Sequence, residues 1–380
     1  MKIKSLKARN FRNLDDISIP FPTPVTAFLG QNGQGKTNLI ESIFIGLTGD
    51  SFRPGRSSIF RKKDSENPAW VQMVVDKDGV DHEITYKIDK LKSISLNGKR
   101  ATAVQLLQKF PVVLFSPESL TAVKGGPDIR RQLIDQLLLS VEPSAARDLA
   151  EFGKALKSRN RVLKQHLEGQ ISRRTAEDIL DSLTPGFIEL AVRISMLRID
   201  ALREIKQLFS ENFQSISGTP NVETSVDYVI SDEVVSEISQ PKLRNAMNNR
   251  LKELRNAEMD SGNTLVGPHK HDIAFKIDGN EARYYGSQGQ QRALILAFKM
   301  AQIVYHYRLH QCRPILFLDD VFSELDESKR TRLVEFLKSI ETQTFFSTTE
   351  WDIGEDNDYH FSREMVSKFQ VSGGRVTKEG

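Results

Sequence analysis

The chain has 380 residues, of which 39% are hydrophobic and 27% charged, so it is long and apolar enough for about two or three folded domains. Lys and Arg number 53 against 50 Asp and Glu, a net charge of +3 that excludes a histone-like binder but allows a local basic face. The single cysteine, Cys312, excludes an intrachain disulfide framework and a cysteine-based zinc site.

The sequence shows neither a membrane span nor a secretion signal. No apolar run approaches the roughly 18 residues that a transmembrane helix needs. Residues 1–5 lack the apolar core of a signal peptide. We therefore expect a cytoplasmic protein without a membrane partner.

The first hundred residues predict strands with one early helix. Alternating or continuous apolar residues indicate strands over 2–8, 16–20 and 24–29, the last of them buried. A glycine-rich turn and a helix over 38–47 follow. From residue 70 to 100 apolar and polar residues alternate between Asx-Gly turns, which is typical of an antiparallel sheet.

The middle of the chain is predicted to be helical. Apolar stripes over 149–167 and 190–208 indicate two antiparallel helices, with a break at Thr184-Pro185-Gly186. After about residue 262 the pattern is α/β again, with strands at 273–277, 314–318 and 344–347 and helices at 287–306 and 333–340. The predicted organisation is therefore one α/β domain in two pieces, 1–125 and 261–380, interrupted by a mainly helical domain over 126–260.

A phosphate-binding loop is predicted directly after the strand at 24–29. Residues 30–37 match G-x-x-x-x-G-K-[ST] in full, between an apolar strand and an amphipathic helix. Lys36 would reach the β- and γ-phosphates, and Thr37 would place its hydroxyl on Mg²⁺. The positive end of the helix would face the anion. The predicted nucleotide contacts are Gly30, Gln31, Asn32, Gly33, Gln34, Gly35, Lys36, Thr37 and Asn38.

An apolar strand ending in two carboxylates, Asp319 and Asp320, is the predicted partner of this loop. Such a strand delivers its last residues to the carboxyl edge of the sheet, where α/β proteins bind ligands. Asp319 would hold Mg²⁺, and Asp320 would face the attacking water. Lys36 and Asp320 are the predicted catalytic residues.

A second anion site is predicted at the start of the helix that follows Gly286. Ser287 is a good N-cap, and the N–H groups around Gly289 and Gln290 would add to the positive end of that helix. A single nucleotide does not need two such sites from one chain. We therefore expect Ser287 to face the phosphate loop of a second subunit.

These motifs together resemble an ABC-type ATPase head and, more narrowly, the RecF family of bacterial recombination-mediator ATPases. Two departures stand out: Lys270-His271 follows Gly-Pro-His where the family usually has Arg-Asp, and Asp320 stands where ABC heads often have Glu. The segments that carry the resemblance are Asn10-Phe11-Arg12-Asn13, Gly125-Gly126-Pro127 with Arg130-Arg131, Ser158-Arg159-Asn160, Gly267-Pro268-His269-Lys270-His271-Asp272, Ser287-Gln288-Gly289-Gln290-Gln291-Arg292, Leu318-Asp319-Asp320-Val321 and Ser323-Glu324-Leu325-Asp326.

The resemblance implies an α/β fold, an ABC-type P-loop ATPase head with a mixed sheet, an antiparallel lobe and an inserted helical second domain. It implies ATP and Mg²⁺ as cofactors, an ATP-driven homodimer that clamps duplex DNA at gaps or stalled forks, and slow, DNA-stimulated hydrolysis. Its implied partners are RecR and RecO, with which it would promote RecA loading.

Three alternatives stay open from the motifs. One is an ATP-binding scaffold with little turnover, and another is a transporter ATPase. The third is an SMC-like chromosome-associated ATPase, although only roughly 250 residues separate Lys36 from Ser287, too few for long coiled-coil arms.

Basic clusters are the candidate DNA contacts. Such charges neutralise phosphates without reading sequence, but they are equally typical of a solvated surface. Aromatic residues are not interleaved with them, which favours duplex or junction DNA over a single strand. The candidates are Arg53, Arg56, Arg61, Lys62 and Lys63 in one cluster, and Lys157, Arg159 and Arg161 in another.

Overall fold

The computed structural model describes residues 1–53, 57–62, 65, 67–89, 91–349 and 363–379. The chain divides into two compact units. The first combines Met1–Thr121, Glu211–Asn221 and Ser287–Gly380, and the second combines Ala122–Ser210 and Val222–Gly286. The second unit thus begins close to the predicted boundary at 126 but continues beyond residue 260. Within the described residues, no helix is long and apolar enough to cross a membrane.

The strands and helices have the following bounds. The strands are β1 (Lys2–Arg9), β2 (Ile17–Pro20), β3 (Val25–Leu29), β4 (Ala69–Lys77), β5 (Val80–Ile88), β6 (Lys92–Leu96), β7 (Lys99–Arg100), β8 (Val112–Phe115), β9 (Thr224–Ile230), β10 (Glu233–Val234), β11 (Asp272–Ile277), β12 (Asn280–Glu281), β13 (Ile315–Asp319), β14 (Thr344–Thr348), β15 (Val366–Ser372) and β16 (Arg375–Lys378). The helices are α1 (Lys36–Thr48), α2 (Ala103–Lys109), α3 (Pro117–Leu120), α4 (Pro127–Val141), α5 (Ala145–Leu167), α6 (Arg173–Ser217), α7 (Gln240–Glu253), α8 (Arg255–Ser261), α9 (Ala282–Tyr285), α10 (Gln288–His310) and α11 (Glu327–Ser339).

The described residues of the first unit form two sheets. One is antiparallel, with the strand order β2-β1-β4-β5-β6-β7. The other has the order β16-β15-β3-β14-β13-β8, in which β16 is antiparallel to its neighbour and the remaining pairs are parallel. The predicted mixed sheet and antiparallel lobe are therefore confirmed.

The hydrophobic core of the first unit packs around the central strands of the mixed sheet. β3, β13 and β14 are buried along their whole length, as central parallel strands must be when both faces are covered. Phe345 stacks between Phe28 and Phe317, with ring centroids 6.4 Å and 5.5 Å away. Helix α1 buries Leu39 and Ile43 in the same core. The carboxyl ends of these three strands are consequently held by rigid packing.

The predicted helix break at Thr184-Pro185-Gly186 is wrong, because α6 runs through Pro185 without interruption. The chain reverses instead in the short connection between α5 and α6. A proline inside a helix forfeits one backbone hydrogen bond. That loss is offset here because Phe187, two residues later, is buried and packs on Phe152 of α5 with ring centroids 5.4 Å apart.

The second unit adds a four-stranded antiparallel sheet with the order β10-β9-β11-β12. The strand predicted at 273–277 forms, as β11, but it pairs with β9 in this sheet. The sequence pattern did not indicate β9, β15 or β16. In the structure, buried Val226 and Tyr228 of β9 alternate with less buried neighbours, as expected for a strand with one covered face.

Candidate nucleotide site and basic surfaces

Three neighbouring parallel strands bring the predicted site residues together. In the mixed sheet β14 lies between β3 and β13. The glycine-rich loop follows β3, Asp319 ends β13, and Ser347 lies opposite both Phe28 and Asp319 in the register of β14. Because parallel strands end at one edge of a sheet, these groups meet at the carboxyl edge, where α/β folds bind ligands.

The glycine-rich loop of residues 30–35 leaves the start of α1 open. Gly35 is the N-cap of α1 with a positive φ of 114°, and no side chain caps the helix. The first turn carries no acidic residue. The first N–H groups of α1 are therefore not taken up by a side-chain cap, and with the positive end of the helix dipole they remain available to an anion.

Lys36 lies against the backbone of this loop. Its ammonium group donates to the carbonyl of Gly30 over 2.6 Å and to that of Gln31 over 3.0 Å. Burial lowers the pKa of Lys36, while Asp320 and then Asp319 act in the opposite direction. The cation is thus held beside the residues that would surround a phosphate chain.

Asp319 accepts two hydroxyl groups on one carboxylate oxygen. Thr37 Oγ1 donates to Asp319 Oδ1 over 3.0 Å, and Ser347 Oγ donates to the same atom over 2.7 Å. Burial raises the pKa of Asp319, and the bonds from Ser347 and Thr37 counteract this. A hydroxyl and a carboxylate in contact form a donor set of hard oxygen atoms that suits Mg²⁺.

Ser347 is a site residue that sequence reasoning missed. Besides donating to Asp319, its hydroxyl accepts the backbone N–H of Asp320 over 2.9 Å. It therefore orients both carboxylate residues. Its position at the carboxyl end of a short apolar run was the available signal, but the sequence does not show which strand lies beside β13.

Asp320 adopts a left-handed backbone conformation. Its φ is 50°, in a region that residues other than glycine, asparagine and aspartate rarely adopt. Its Oδ1 is buried and has no hydrogen-bond partner among the described residues. A buried carboxylate oxygen without a partner is costly, and such groups concentrate at functional sites.

The start of α10 forms a capping box at Ser287. Ser287 Oγ accepts the backbone N–H of Gln290 over 3.2 Å, and Gln290 Oε1 accepts the N–H of Ser287 over 2.8 Å. A hydroxyl that accepts in this way still has its own hydrogen to donate. Because Ser287 is exposed, this hydrogen and the helix N-terminus face outward.

The residues behind the phosphate loop form a charged network that includes Arg53. Glu41 of α1 is fully buried and is paired with both Arg12 and Arg53. Arg53 also donates to Asn38, and Asn38 donates to Asn13 over 2.7 Å. Arg53, a predicted DNA contact, thus already has carboxylate and amide partners beside the phosphate loop.

The rest of the first basic cluster is partly paired. Arg61 donates to the carbonyl of Ser65 over 2.7 Å, and Lys62 pairs with Asp15 over 2.7 Å. Both side chains remain partly exposed. The candidates Arg56 and Lys63 lie outside the described residues.

Arg159 is not an available DNA contact, because it lies inside the second unit. Its Nη1 donates to Thr184 over 2.7 Å, its Nη2 pairs with Glu258 over 3.1 Å, and its guanidinium lies 4.9 Å from the ring of Phe187. The sequence motif around it therefore serves the core of this unit.

Four other cations of α5 form an exposed basic stripe. Steps of three, four and three residues place its members on one helix face. None of them has a carboxylate partner among the described residues, whereas Arg147, earlier in the helix, lies near Asp148. The members of the stripe are Lys154, Lys157, Arg161 and Lys164.

Buried polar contacts in the second unit converge on residues 267–272. Arg130 makes a bidentate pair with Asp272, over 2.8 Å and 2.7 Å. Arg198 donates to the carbonyl of Pro268 over 2.8 Å. His271 is hydrogen-bonded to Tyr228 over 2.8 Å. Lys270 stands where the resembled family usually has arginine. Its side chain is exposed, although the neighbouring residues of this segment are mostly buried.

The chain matches the family model of the RecF/RecN/SMC N terminal domain over residues 2–369. It is 36% identical to the DNA replication and repair protein RecF of Geotalea uraniireducens, over 92% of this chain and 93% of that protein. It is 33% identical to RecF of Enterococcus faecalis, over 93% of each.

Solved structures agree with these relatives. The structure of the recombination mediator protein RecF-ATP in the RecFOR pathway superposes with a TM-score of 0.86 at 29% identity, over 100% of this chain and 97% of that one. A Smc head bound to the C-winged helix domain of ScpA superposes with a TM-score of 0.54 at 17% identity, over 100% of this chain and 98% of that one. This similarity shows the shared fold alone. The chain belongs to the RecF family of DNA replication and repair proteins, and its fold is the ABC-type ATPase head that RecF and SMC proteins have in common.

Proposed function

We propose that this chain is an ATP-gated clamp on duplex DNA that acts in recombinational repair. The observation that carries the proposal is the direct contact of Thr37 with Asp319, with Lys36 folded onto the same loop. The solved RecF structure with ATP supports the choice of nucleotide.

Thr37 and Asp319 would hold Mg²⁺, and Lys36 would pair with the terminal phosphates. The metal ion would neutralise charge on the phosphate oxygens when ATP is bound. The N–H groups from Gly30 to Asn38 would surround the phosphate chain, since the start of α1 has no side-chain cap.

Asp320 would orient the attacking water and accept its proton. Its uncommitted carboxylate oxygen supports this role. The side chain of aspartate is shorter than that of the glutamate common in ABC heads, which suits slow hydrolysis that resets the clamp. DNA would stimulate this turnover.

ATP would join two heads, each with Ser287 facing the phosphate loop of its partner. The outward hydroxyl of Ser287, with Gly289 and Gln290 in the first turn of α10, would meet the γ-phosphate across a two-fold axis. Because each nucleotide would then contact both chains, dimerisation and ATP binding would be linked.

The DNA partner would be duplex DNA at gaps or stalled forks, in the cytoplasm where the chromosome lies. The exposed basic stripe on α5, with Arg61 and Lys62 as further candidates, would contact the phosphate backbone. RecR and RecO would act with this chain to promote RecA loading, as the RecFOR pathway named for the similar structure suggests.

Sedimentation of the full chain with and without ATP and duplex DNA tests the clamp. We expect a monomer without ATP, a dimer with ATP, and co-sedimentation with DNA in the presence of ATP. Lys36→Met should abolish both changes, and the control Lys99→Met, an exposed strand residue, should abolish neither. A parent chain that remains monomeric and free of DNA with ATP would contradict the proposal.

A further inference from the structure

The last hairpin of the chain makes direct contact with the phosphate loop. β15 and β16 are joined by Gly373 and Gly374, both with positive φ, which is typical of a two-residue hairpin turn. The N–H of Gly374 donates to the carbonyl of Gln34 over 2.9 Å. The N–H of Gly373 donates to the side-chain Oε1 of Gln34 over 2.7 Å.

The hairpin approaches so closely that a side chain would not fit. A Cβ atom on Gly374 would lie 2.0 Å from the carbonyl oxygen of Asn13, and one on Gly30 would lie 2.3 Å from that of Val371. The carbonyl of Gly374 also accepts the N–H of Asp15 over 3.0 Å. The turn therefore packs closely against both the N-terminal segment and the phosphate loop.

Asn13, whose backbone carbonyl lies against Gly374, also contacts the loop through its side chain. Its carboxamide oxygen accepts from Asn38 of α1 over 2.7 Å, and a Cβ on Gly35 would come within 2.9 Å of that oxygen. The carbonyl of Gln34 thus accepts from both Asn13 and the turn, while the next loop residues toward the N-terminus, 31–33, are exposed.

These contacts fix the direction of one peptide group in the loop. The carbonyl of Gln34 points at Gly374. The peptide bond is trans, because the described residues contain no cis bond. In a trans peptide the N–H of the next residue points opposite to the carbonyl. The N–H of Gly35 is consequently turned away from the hairpin, as a phosphate-binding loop requires.

We propose that the turn Gly373-Gly374 is a positioning element of the nucleotide site, which acts through Gln34 to preorganise the phosphate loop. This inference rests on the proposed function, because it concerns the affinity of the same loop for ATP. Losing the preorganising hydrogen bonds should weaken ATP binding about five- to tenfold. The chemical step should be little affected, since neither glycine touches the reacting groups.

Gly374→Ala in the full chain is the direct test. The new Cβ cannot stay 2.0 Å from the carbonyl oxygen of Asn13, so either the turn or Asn13 must shift, and both are hydrogen-bonded to the carbonyl of Gln34. Gly98→Ala is the matched control, since Gly98 also has a positive φ in a hairpin turn but has no atom within 4 Å of its Cβ position. In titrations with a fluorescent ATP analogue, we expect affinity to fall about five- to tenfold for Gly374→Ala and less than twofold for Gly98→Ala.

Gln34→Met provides a second test that leaves the hairpin unaltered. It removes the acceptor of the Gly373 N–H at nearly constant side-chain length, so ATP affinity should fall while the unfolding temperature stays within about 2 °C. The KM for ATP should rise for both variants, and for Gly374→Ala kcat should change less than twofold. A role in folding alone would instead lower the unfolding temperature and leave KM unchanged.

Hydrogen exchange completes the test. In the parent chain, ATP should slow amide exchange in peptides that cover 371–376, and Gly374→Ala should lose this protection. Parental affinity in both Gly374→Ala and Gln34→Met would overturn the inference. If the parent chain itself does not bind ATP, the proposed nucleotide site is wrong and this inference falls with it.

Discussion

Arg159 and Glu258 form an ion pair whose side chains are 1% and 0% exposed. The other carboxylate oxygen of Glu258 accepts the N–H of Leu265 over 2.7 Å. The pair therefore links α5 to α8 and to the segment that leads into residues 267–272. A charge in this position is a structural element, although in the sequence it stands among the exposed cations of α5.

Arg159→Met should destabilise the chain by about 3–5 kcal/mol, because it leaves the carboxylate of Glu258 buried without its partner. Lys157→Met, two residues away but exposed, should change the free energy of unfolding by less than about 0.5 kcal/mol. Urea unfolding of both variants measures the difference. Equal stability of the two would contradict the buried pair.

DNA binding, in contrast to stability, should depend on the exposed cations of α5. The double variant Lys157→Met, Arg161→Met should weaken binding of duplex DNA with ATP present, because it removes two cations of the exposed stripe. The slope of log affinity against log salt should fall by about two. Arg147→Met, at a residue that lies near Asp148, is the control. An unchanged slope would show that the basic stripe on α5 does not contact DNA.

Stability should fall below about pH 6.5 because of His269 and His271. Burial lowers their pKa values to about 4 and about 3. Below about pH 6.5 these histidines are protonated in the unfolded chain. In the folded chain they become protonated only near their lowered pKa values, so protons favour the unfolded state in between. Each histidine should then reduce the free energy of unfolding by about 1.4 kcal/mol per pH unit within its window.

His269→Gln should make this pH dependence shallower, since glutamine does not titrate and its amide N–H₂ still suits the carbonyl of Thr264. Urea unfolding between pH 5 and pH 8 compares it with the parent and with His166→Gln on α5. A variant with the full parental slope would show that other groups titrate.

Asp320→Asn should keep ATP binding and slow hydrolysis about 10²- to 10⁴-fold, because the water loses the carboxylate that accepts its proton. Asp319 and its two hydroxyl donors are untouched, so metal binding should persist. ATP-bound dimers should accumulate. Steady-state turnover is compared with that of Asp78→Asn, at an exposed hairpin turn; a parental rate in Asp320→Asn would place the base elsewhere.

Ser287→Arg should abolish the ATP-dependent dimer while leaving nucleotide binding near normal. Among the described residues of its own chain Ser287 contacts only the first turn of α10, which it caps, whereas across the proposed two-fold axis an arginine would be too large for the gap. Hydrolysis and ATP-dependent DNA binding should be lost with the dimer. Light scattering with ATP measures this, with the exposed Ser93→Arg as control. A dimer as stable as the parent's would rule out the two-headed arrangement.

The sequence alone determined the phosphate loop, the strand that ends in Asp319 and the capped start of α10. Each of these is encoded locally, by residues at fixed spacing between an apolar strand and an amphipathic helix. The proximity of the phosphate loop to Asp319 also follows from the rule that parallel strands end at one edge of the sheet. The family resemblance carried by the same motifs was confirmed by the relatives.

Only the tertiary structure decided which residues pair across long sequence distances. Ser347 reaches Asp319 because β14 lies next to β13, and the turn at Gly374 reaches Gln34 because β15 pairs with β3. Arg159 is buried because Glu258 on another helix compensates its charge. Such pairings depend on strand order and on helix packing. Neither leaves a local spacing pattern in a single sequence, so neither could be predicted from it.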